Sequence, residues 1–146
     1  MRTQIIQLAI PGEPQGKQRP RATIVGKGAK RFVRAYTPEK TVNYETYIKE
    51  LFAVKYPDFI PVECVLELEL IAWLMIPIST SQKRKALMES GDLRPGKQPD
   101  VDNVLKSVMD ALEKLAYKND AQIVTAYLHK FYAHKPRLDI NIFEVK

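Results

Sequence analysis

Residues 62–75 carry the clearest strand pattern in the chain, because apolar and other side chains alternate there with a period of two. The apolar positions of one parity are Val62, Cys64, Leu66, Leu68, Leu70, Ala72 and Leu74. Glu63, Glu67 and Glu69 have the other parity, so one face of this strand is expected to meet water. A strand with one wet face is typical of an antiparallel position, and we predict that arrangement.

Three other segments have patterns that favour helices. Residues 101–115 place one apolar stripe at helical spacing. Thr37 followed by Pro38 is a typical helix start, with a capping hydroxyl and a proline in the first turn, and predicts a helix over 37–55. Residues 80–89 predict a short basic helix. The stripe of the first segment consists of Val101, Val104, Leu105, Val108, Leu112 and Leu115.

The remaining patterns complete a chain in which strands and helices mix. Strands are predicted over residues 4–10, 31–36, 122–133 and 137–145. Residues 12–30 and 91–99 are rich in Gly, Pro, Lys and Arg and predict loops. Because neither repeats nor a linker interrupt the order, we predict one domain over residues 1–146. Its expected class is α/β (α+β), with a mixed, mostly antiparallel sheet packed against about three helices.

Positive charge is concentrated near the N-terminus. The chain has a net charge of +6, and eight of its lysines and arginines lie in the first 35 residues beside a single acid, Glu13. Such a local basic field indicates a polyanionic partner. A solvated basic loop without a partner explains the charge equally well, so both interpretations stay open at this point.

The sequence predicts a protein of the cytoplasm that does not cross a membrane. No apolar run approaches the ~20 residues that a membrane helix requires. The first residues do not resemble a secretory signal, and Cys64 is the sole cysteine, so no internal disulfide can form.

Three aspartates lie near the two ends of the segment 101–115. Asp100 and Asp102 lie at its start, and Asp120 opens the strand that follows. One interpretation is structural, because a helix N-terminus stabilises negative charge. The other is a metal site, because three converging carboxylates repel one another unless a cation is present, and hard oxygen ligands suit Mg²⁺ or Mn²⁺.

Lys106 extends the second interpretation. It follows Asp102 by four residues, so both side chains project from one helix face, outside the apolar stripe. It is a candidate for holding a scissile phosphate, and the alternative is an ion pair with Asp102. An acidic metal site beside a basic segment is the electrostatic pattern of a nuclease.

Three sequence blocks together resemble the RusA family of Holliday junction resolvases, which are small homodimeric endonucleases common in phages and prophages. The blocks are GEPQGKQRPR at 12–21, KQPDVDNVLKSVMDAL at 97–112 and YKNDAQI at 117–123. Their order and spacing match the family, and the similarity runs from about Ile10 to the C-terminus.

The resemblance implies roles for particular residues. It implies that Asp100, Asp102 and Asp120 bind Mg²⁺, with Mn²⁺ as a substitute, and that Lys106 is catalytic. It also implies DNA contacts near the site and supporting polar positions. The DNA contacts are Lys17, Arg19, Arg21 and Lys97, and the supporting positions are Asn103 and Asn119.

Some positions depart from the family or carry less meaning. Asn119 stands where the family usually has the first of two aspartates, which would weaken a second metal site. Glu113 and Lys114 replace an Asn-Gly-like turn, so the helix is expected to run on to about residue 115. Asp110 matches a recurrent position and is interpreted as a structural polar residue on the helix surface.

The activity implied by the resemblance is resolution of four-way DNA junctions by paired nicks in strands of like polarity. A two-fold dimer would present two equivalent sites to such a junction, with an interface on residues 62–75 or 126–132. Two alternatives remain: a non-catalytic DNA-binding protein of the same fold, and a small phosphohydrolase acting on metabolites.

Overall fold

The computed structural model describes residues 1–18, 21–36 and 39–146. Its strands are β1 (Arg2–Pro11), β2 (Arg21–Val25), β3 (Phe32–Tyr36), β4 (Leu66–Met75), β5 (Ile123–Ala133) and β6 (Arg137–Val145). Its helices are α1 (Glu39–Lys55), α2 (Gln82–Ser90) and α3 (Val101–Leu112). A mixed sheet with three helices and a small second sheet is an α+β fold, and the predicted fold class is confirmed.

The main sheet has four strands in the order β1-β6-β4-β5. Strand β4 is therefore interior, antiparallel to β6 and parallel to β5. The prediction of an antiparallel position is correct for one neighbour and wrong for the other. The parallel pair arises because α2 and α3 carry the chain back to the end of the sheet where β4 began, which is how parallel neighbours are connected.

The expected wet face of β4 is partly covered. Glu67 is only 8% exposed, and its carboxylate pairs with the Arg2 guanidinium at 3.3 Å. That guanidinium also lies 4.0 Å from the ring centroid of Phe143. The Arg2 guanidinium, which stacks on a ring of the neighbouring strand, thus compensates the charge of Glu67 and allows this side chain to be buried. The alternation of the sequence did not predict this burial. The strand also begins at Leu66 rather than at residue 62.

The core lies between the other face of the sheet and helices α1 and α3. Every second residue of the central strands is buried there, which is the period of a strand that packs on one side. Helix α1 contributes Tyr44, Ile48 and Phe52. The sheet, α3 and the turn after α3, which carries Tyr117, supply the rest of its largest members: Ile6, Ile10, Leu66, Leu68, Leu70, Val104, Leu112, Tyr117, Leu138, Ile140 and Ile142.

The predicted loop over residues 12–30 contains a strand instead. β2 pairs antiparallel with β3, and the two form a separate two-stranded sheet. Gly26 and Gly28 have φ of 96° and 59°, a region that glycine enters without steric cost, and they reverse the chain between the strands. The Thr37-Pro38 helix start lies outside the described residues. Among the described helices, none is long and apolar enough to cross a membrane.

Candidate active site

Helix α3 is the platform of the site. Its inner face is buried against the core through Val104, Ser107, Val108, Ala111 and Leu112. Because residues four apart share one side of a helix, Asp102, Lys106 and Asp110 form a polar row on the outer face. The same amphipathic pattern that anchors the helix therefore aims two carboxylates and an ammonium away from the core.

The chain reverses sharply after α3. The helix ends at Leu112, and Lys114 has φ of 70°, so the predicted extension to residue 115 is wrong. Tyr117 stabilises the reversal, because its side chain is fully buried and its hydroxyl donates to the Met109 carbonyl at 2.6 Å. The backbone N–H of Lys114 donates to the Tyr117 carbonyl at 2.6 Å. This turn returns the chain beside the helix that it has just left.

A short 3-10 turn at Asp120–Gln122 then presents Asp120. The Asn119 side chain accepts from the backbone N–H of Ala121 at 2.8 Å, and the Asn119 N–H donates to the Gln122 side chain at 2.8 Å. Together these bonds form a capping box, which fixes the backbone around Asp120. Asn119, which stands where the family has an aspartate, is thus used as a cap here.

Asp110, Glu113 and Asp120 form a compact acidic cluster. One carboxylate oxygen from each lies within 4.8 Å of the others, and all three side chains are half-buried. The Asp120 N–H points to the Glu113 carboxylate at 3.4 Å. Burial raises the pKa of Tyr117 above its usual range, and the neighbouring carboxylates of this cluster raise it further, so its phenol stays protonated.

Two members of the cluster, Asp110 and Asp120, line a pocket of about 200 Å³. Asp102 and Lys106 line it together with Asp110 and Asp120, so the structure brings three of the four predicted catalytic residues together. Within the described residues no ion pair engages the Lys106 ammonium, so the predicted alternative of a salt bridge to Asp102 does not form. The ammonium is exposed at the pocket.

Asp100 lies apart from this pocket. It precedes the first residue of α3 and is exposed, but its side chain makes no capping hydrogen bond. It lines a neighbouring pocket of about 710 Å³ with Lys97, Lys17 and Asn103. The predicted trio Asp100, Asp102 and Asp120 is therefore divided between two adjoining pockets.

Two acids of the cluster were not predicted as ligands. Asp110 was interpreted as a structural residue, and Glu113 was noted as a departure from the family turn. A signal was present in the spacing, because Asp110 continues the i, i+4 row from Asp102 and Lys106. The contact with Asp120, in contrast, depends on the reversal after Leu112, which no sequence pattern indicated.

Lys17 joins the basic N-terminal segment to α3. Its ammonium lies 2.5 Å from the Asp110 carboxylate and 3.4 Å from that of Glu45, with only 21% of the side chain exposed. Its backbone N–H donates to the Asn103 carbonyl at 2.8 Å. Gly16 permits this approach, since a Cβ there would meet Asn103 at 2.8 Å. The charge of Lys17 is thus engaged within the protein.

The remaining predicted DNA contacts have different positions. The Lys97 ammonium lies 5.8 Å from the ring centroid of Tyr132, beside the mouth of the larger pocket. Arg19 lies outside the described residues. For Arg21 the backbone is described as the first residue of β2, and its side chain is not.

Replacing Lys17 with methionine is expected to lower the free energy of unfolding by about 1–3 kcal/mol, because two half-buried carboxylates lose their cation. The Asp110 hydrogen bond raises the pKa of Lys17 above 10.5 despite the opposing effect of burial. The stabilisation is therefore complete below pH 10.5 and lost as pH rises through the higher folded-state pKa.

The measurement is urea unfolding of both proteins at neutral and alkaline pH. Lys118→Met is the control, since that lysine pairs with Glu63 on the surface, where such pairs contribute less than about 1 kcal/mol. Equal stability of the Lys17→Met variant and the wild type at pH 7 would contradict the structural role of this pair.

Comparison with models of protein families shows the family to which the chain belongs. The family model described as Endodeoxyribonuclease RusA matches residues 11–143. The chain belongs to this family. The resemblance seen in the three sequence blocks is thereby confirmed, and this RusA-family chain is a member of a group of DNA-cleaving nucleases.

A related bacterial protein is similar to this RusA-family chain over nearly the whole length of both proteins. "Uncharacterized protein YqaN" of Bacillus subtilis (strain 168) is 34% identical over 142 residues, which cover 96% of each chain. Because its description states no activity, the functional conclusion rests on the family and on the site geometry.

Proposed function

We propose that this chain is a Mg²⁺-dependent, structure-selective endodeoxyribonuclease that resolves four-way junctions by paired symmetric nicks in DNA recombination and repair. The observation that carries the proposal is the cluster of Asp110, Glu113 and Asp120, two of whose members, Asp110 and Asp120, share a pocket with Asp102 and Lys106 in a member of an endodeoxyribonuclease family. Acids that could hold a cation and an ammonium that could hold a phosphate fit metal-assisted phosphodiester hydrolysis, in which the metal activates the attacking water and positive groups stabilise the charge of the transition state.

The donor set fits Mg²⁺. Every candidate ligand is a carboxylate, the hard oxygen type that Mg²⁺ prefers, and Mn²⁺ accepts the same set. We propose Asp102 and Asp120 as ligands, with Asp110 and Glu113 as the neighbours that the structure adds. Asp100, whose carboxylate makes no capping bond, is proposed to turn toward Asp102 when the metal binds. The bound cation would supply an activated water and stabilise the charge of the transition state.

The chain's own residues would bind and orient the DNA. Lys97, Arg19 and Arg21 are proposed phosphate contacts, and Asn103 is a supporting residue of the larger pocket, which lies between the basic segment and the start of α3. Lys17 could contact a phosphate only by leaving Asp110 and Glu45. We therefore propose that it mainly positions the segment 12–18 against α3.

We also propose that the protein acts as a homodimer in the cytoplasm of a bacterial or phage-infected cell. A four-way junction has approximate two-fold symmetry, so two copies related by a two-fold axis could nick it at equivalent positions. Of the two strands considered for the interface, β5 lies at the edge of the sheet and β4 in its interior, which supports β5.

Lys106→Met is expected to slow junction nicking by about 100-fold or more, with little change in junction affinity. The reason is that an ammonium at the scissile phosphate acts mainly on charge that develops in the transition state. The comparison is single-turnover cleavage with Mg²⁺, using Lys49→Met as the control, since that lysine is exposed on α1. A cleavage rate equal to that of the wild type would remove Lys106 from the proposed mechanism.

A non-catalytic DNA-binding protein of the same fold is the second candidate. The observation that favours it is the use of Asn119 as a turn cap, which leaves one acid fewer than the family usually has at this point. Cleavage and binding of a four-way junction, measured with Mg²⁺, with Mn²⁺ and with a chelator, distinguish the two candidate functions. Cleavage that requires a divalent ion supports the nuclease, and tight binding without cleavage under all three conditions supports the second candidate.

A further inference from the structure

The β2–β3 hairpin has an apolar face without a partner in the described structure. Ile24 lies directly opposite Val33, and Ala22 lies on the same face two residues before Ile24. Ile24 is 68% exposed and Val33 71%. Every described side chain from Ala22 to Arg34 is exposed except that of Val25, which is half-buried. A projecting strand pair that places β-branched apolar side chains in water indicates a binding surface.

The charge of the hairpin indicates the kind of partner. Residues 21–36 contain five lysines and arginines and no acid. Lys27, Lys30, Arg31 and Arg34 are all exposed. Two such arms from two copies of the chain would repel each other, whereas a polyanion would attract them. The combination of apolar side chains and cations therefore favours a nucleic acid over a second copy.

The root of the hairpin lies beside the candidate active site. Before it, the Gln18 N–H donates to the Thr41 hydroxyl at 2.9 Å. After it, the chain enters α1, whose Lys40 lines the same pocket as Gln18 and Asp100. The hairpin thus extends from the rim of the pocket at the start of α3, where DNA bound at the active site would pass.

We propose that the β2–β3 hairpin recognises the branch point of the DNA, with Ile24 and Val33 packing against base faces that are open at the centre of a four-way junction. This inference rests on the proposed nuclease function and adds the element that selects branched DNA. In a linear duplex the bases are stacked, and an apolar side chain must unstack them at a cost in free energy. At a branch point part of that stacking is already interrupted, so the same contact favours the junction.

The test compares two charge-neutral double variants. Ile24→Thr combined with Val33→Thr keeps β-branched side chains and the hairpin's charge but removes the apolar contact. Ile60→Thr combined with Val54→Thr is the matched control, because both residues are 80% exposed outside the hairpin. Kd values are measured for a four-way junction and a linear duplex of equal length, with Ca²⁺ replacing Mg²⁺. The junction carries 2-aminopurine at the branch point.

The hairpin variant is expected to bind the junction about 10- to 100-fold more weakly, which corresponds to a total loss of about 1.4–2.8 kcal/mol, because both side chains lose their apolar contact with the bases. Its duplex Kd should stay within about twofold of the wild type, and its rise in 2-aminopurine fluorescence should disappear. The control variant should behave as the wild type does.

Other results would overturn the inference. If the hairpin variant keeps the junction preference and the fluorescence rise, the apolar face does not read the branch point, while the nuclease function is unaffected. If sedimentation velocity without DNA shows that this variant alone loses self-association, the face binds a second copy instead. If wild type binds junction and duplex equally, junction selectivity itself fails, and that result is separate from any effect of the hairpin substitutions.

Discussion

Asp102→Asn and Asp120→Asn are each expected to lower the rate of junction nicking in Mg²⁺ by at least roughly 1000-fold, with the Kd for the junction within about threefold of the wild type. Both carboxylates line the pocket that holds the Lys106 ammonium. An amide keeps the size of the side chain and removes the negative charge that a hard cation requires. The proposed DNA contacts lie on other residues, so binding should persist.

The experiment measures single-turnover cleavage and junction binding in parallel for each variant. Asp58→Asn is the matched control, because Asp58 is exposed and lies outside the pocket. If a variant loses binding in the same proportion as cleavage, the carboxylate supports DNA binding and not a metal. If it cleaves at the rate of the wild type, that aspartate has no role in the reaction.

Tyr117→Ala is expected to lower the free energy of unfolding by about 3–5 kcal/mol, the largest effect on stability that we predict. Tyr117 is fully buried, and its hydroxyl donates to the Met109 carbonyl at 2.6 Å. Removal of the ring leaves a cavity between the end of α3 and the turn that carries Asp120. Tyr117→Phe removes only the hydrogen bond and should cost about 1 kcal/mol.

Urea unfolding measures both variants, with Tyr127→Ala as the control because Tyr127 is 49% exposed on β5. We expect the control to change stability by less than about 1 kcal/mol. A loss below about 1 kcal/mol for Tyr117→Ala would contradict the description of this side chain as the anchor of the reversal. Because the reversal sets the position of Asp120, cleavage by the folded Tyr117→Phe protein reports whether that position depends on the hydroxyl.

The long amphipathic elements were predictable because burial dictates their periods. β4 alternates and α3 repeats near 3.6, and each buries the apolar side predicted for it, except that Val101 at the start of the α3 stripe is 46% exposed. The strand predicted over residues 31–36 corresponds to β3. Strand β2 and its pairing with β3 were missed, because β2 has only five residues and lies in a segment rich in cations and glycines. A pair that stands outside the core is not required to show the alternation that burial imposes.

The site was predictable in its helical part and not beyond it. The row of Asp102, Lys106 and Asp110 follows from helix geometry alone. The meeting of Asp110, Glu113 and Asp120 requires a reversal at Lys114, a non-glycine residue with φ of 70°. Such a backbone conformation is enforced by tertiary contacts such as those of Tyr117, and these are invisible in a local pattern.

The central claim is that this chain cuts branched DNA with a divalent metal held beside α3. The most direct measurement maps the nicks that the wild type makes in a synthetic four-way junction labelled on each strand in turn, with Mg²⁺ and with a chelator. We expect symmetric nicks in two strands of like polarity that appear only with Mg²⁺. Tight binding of the junction without nicks in either Mg²⁺ or Mn²⁺ would contradict it.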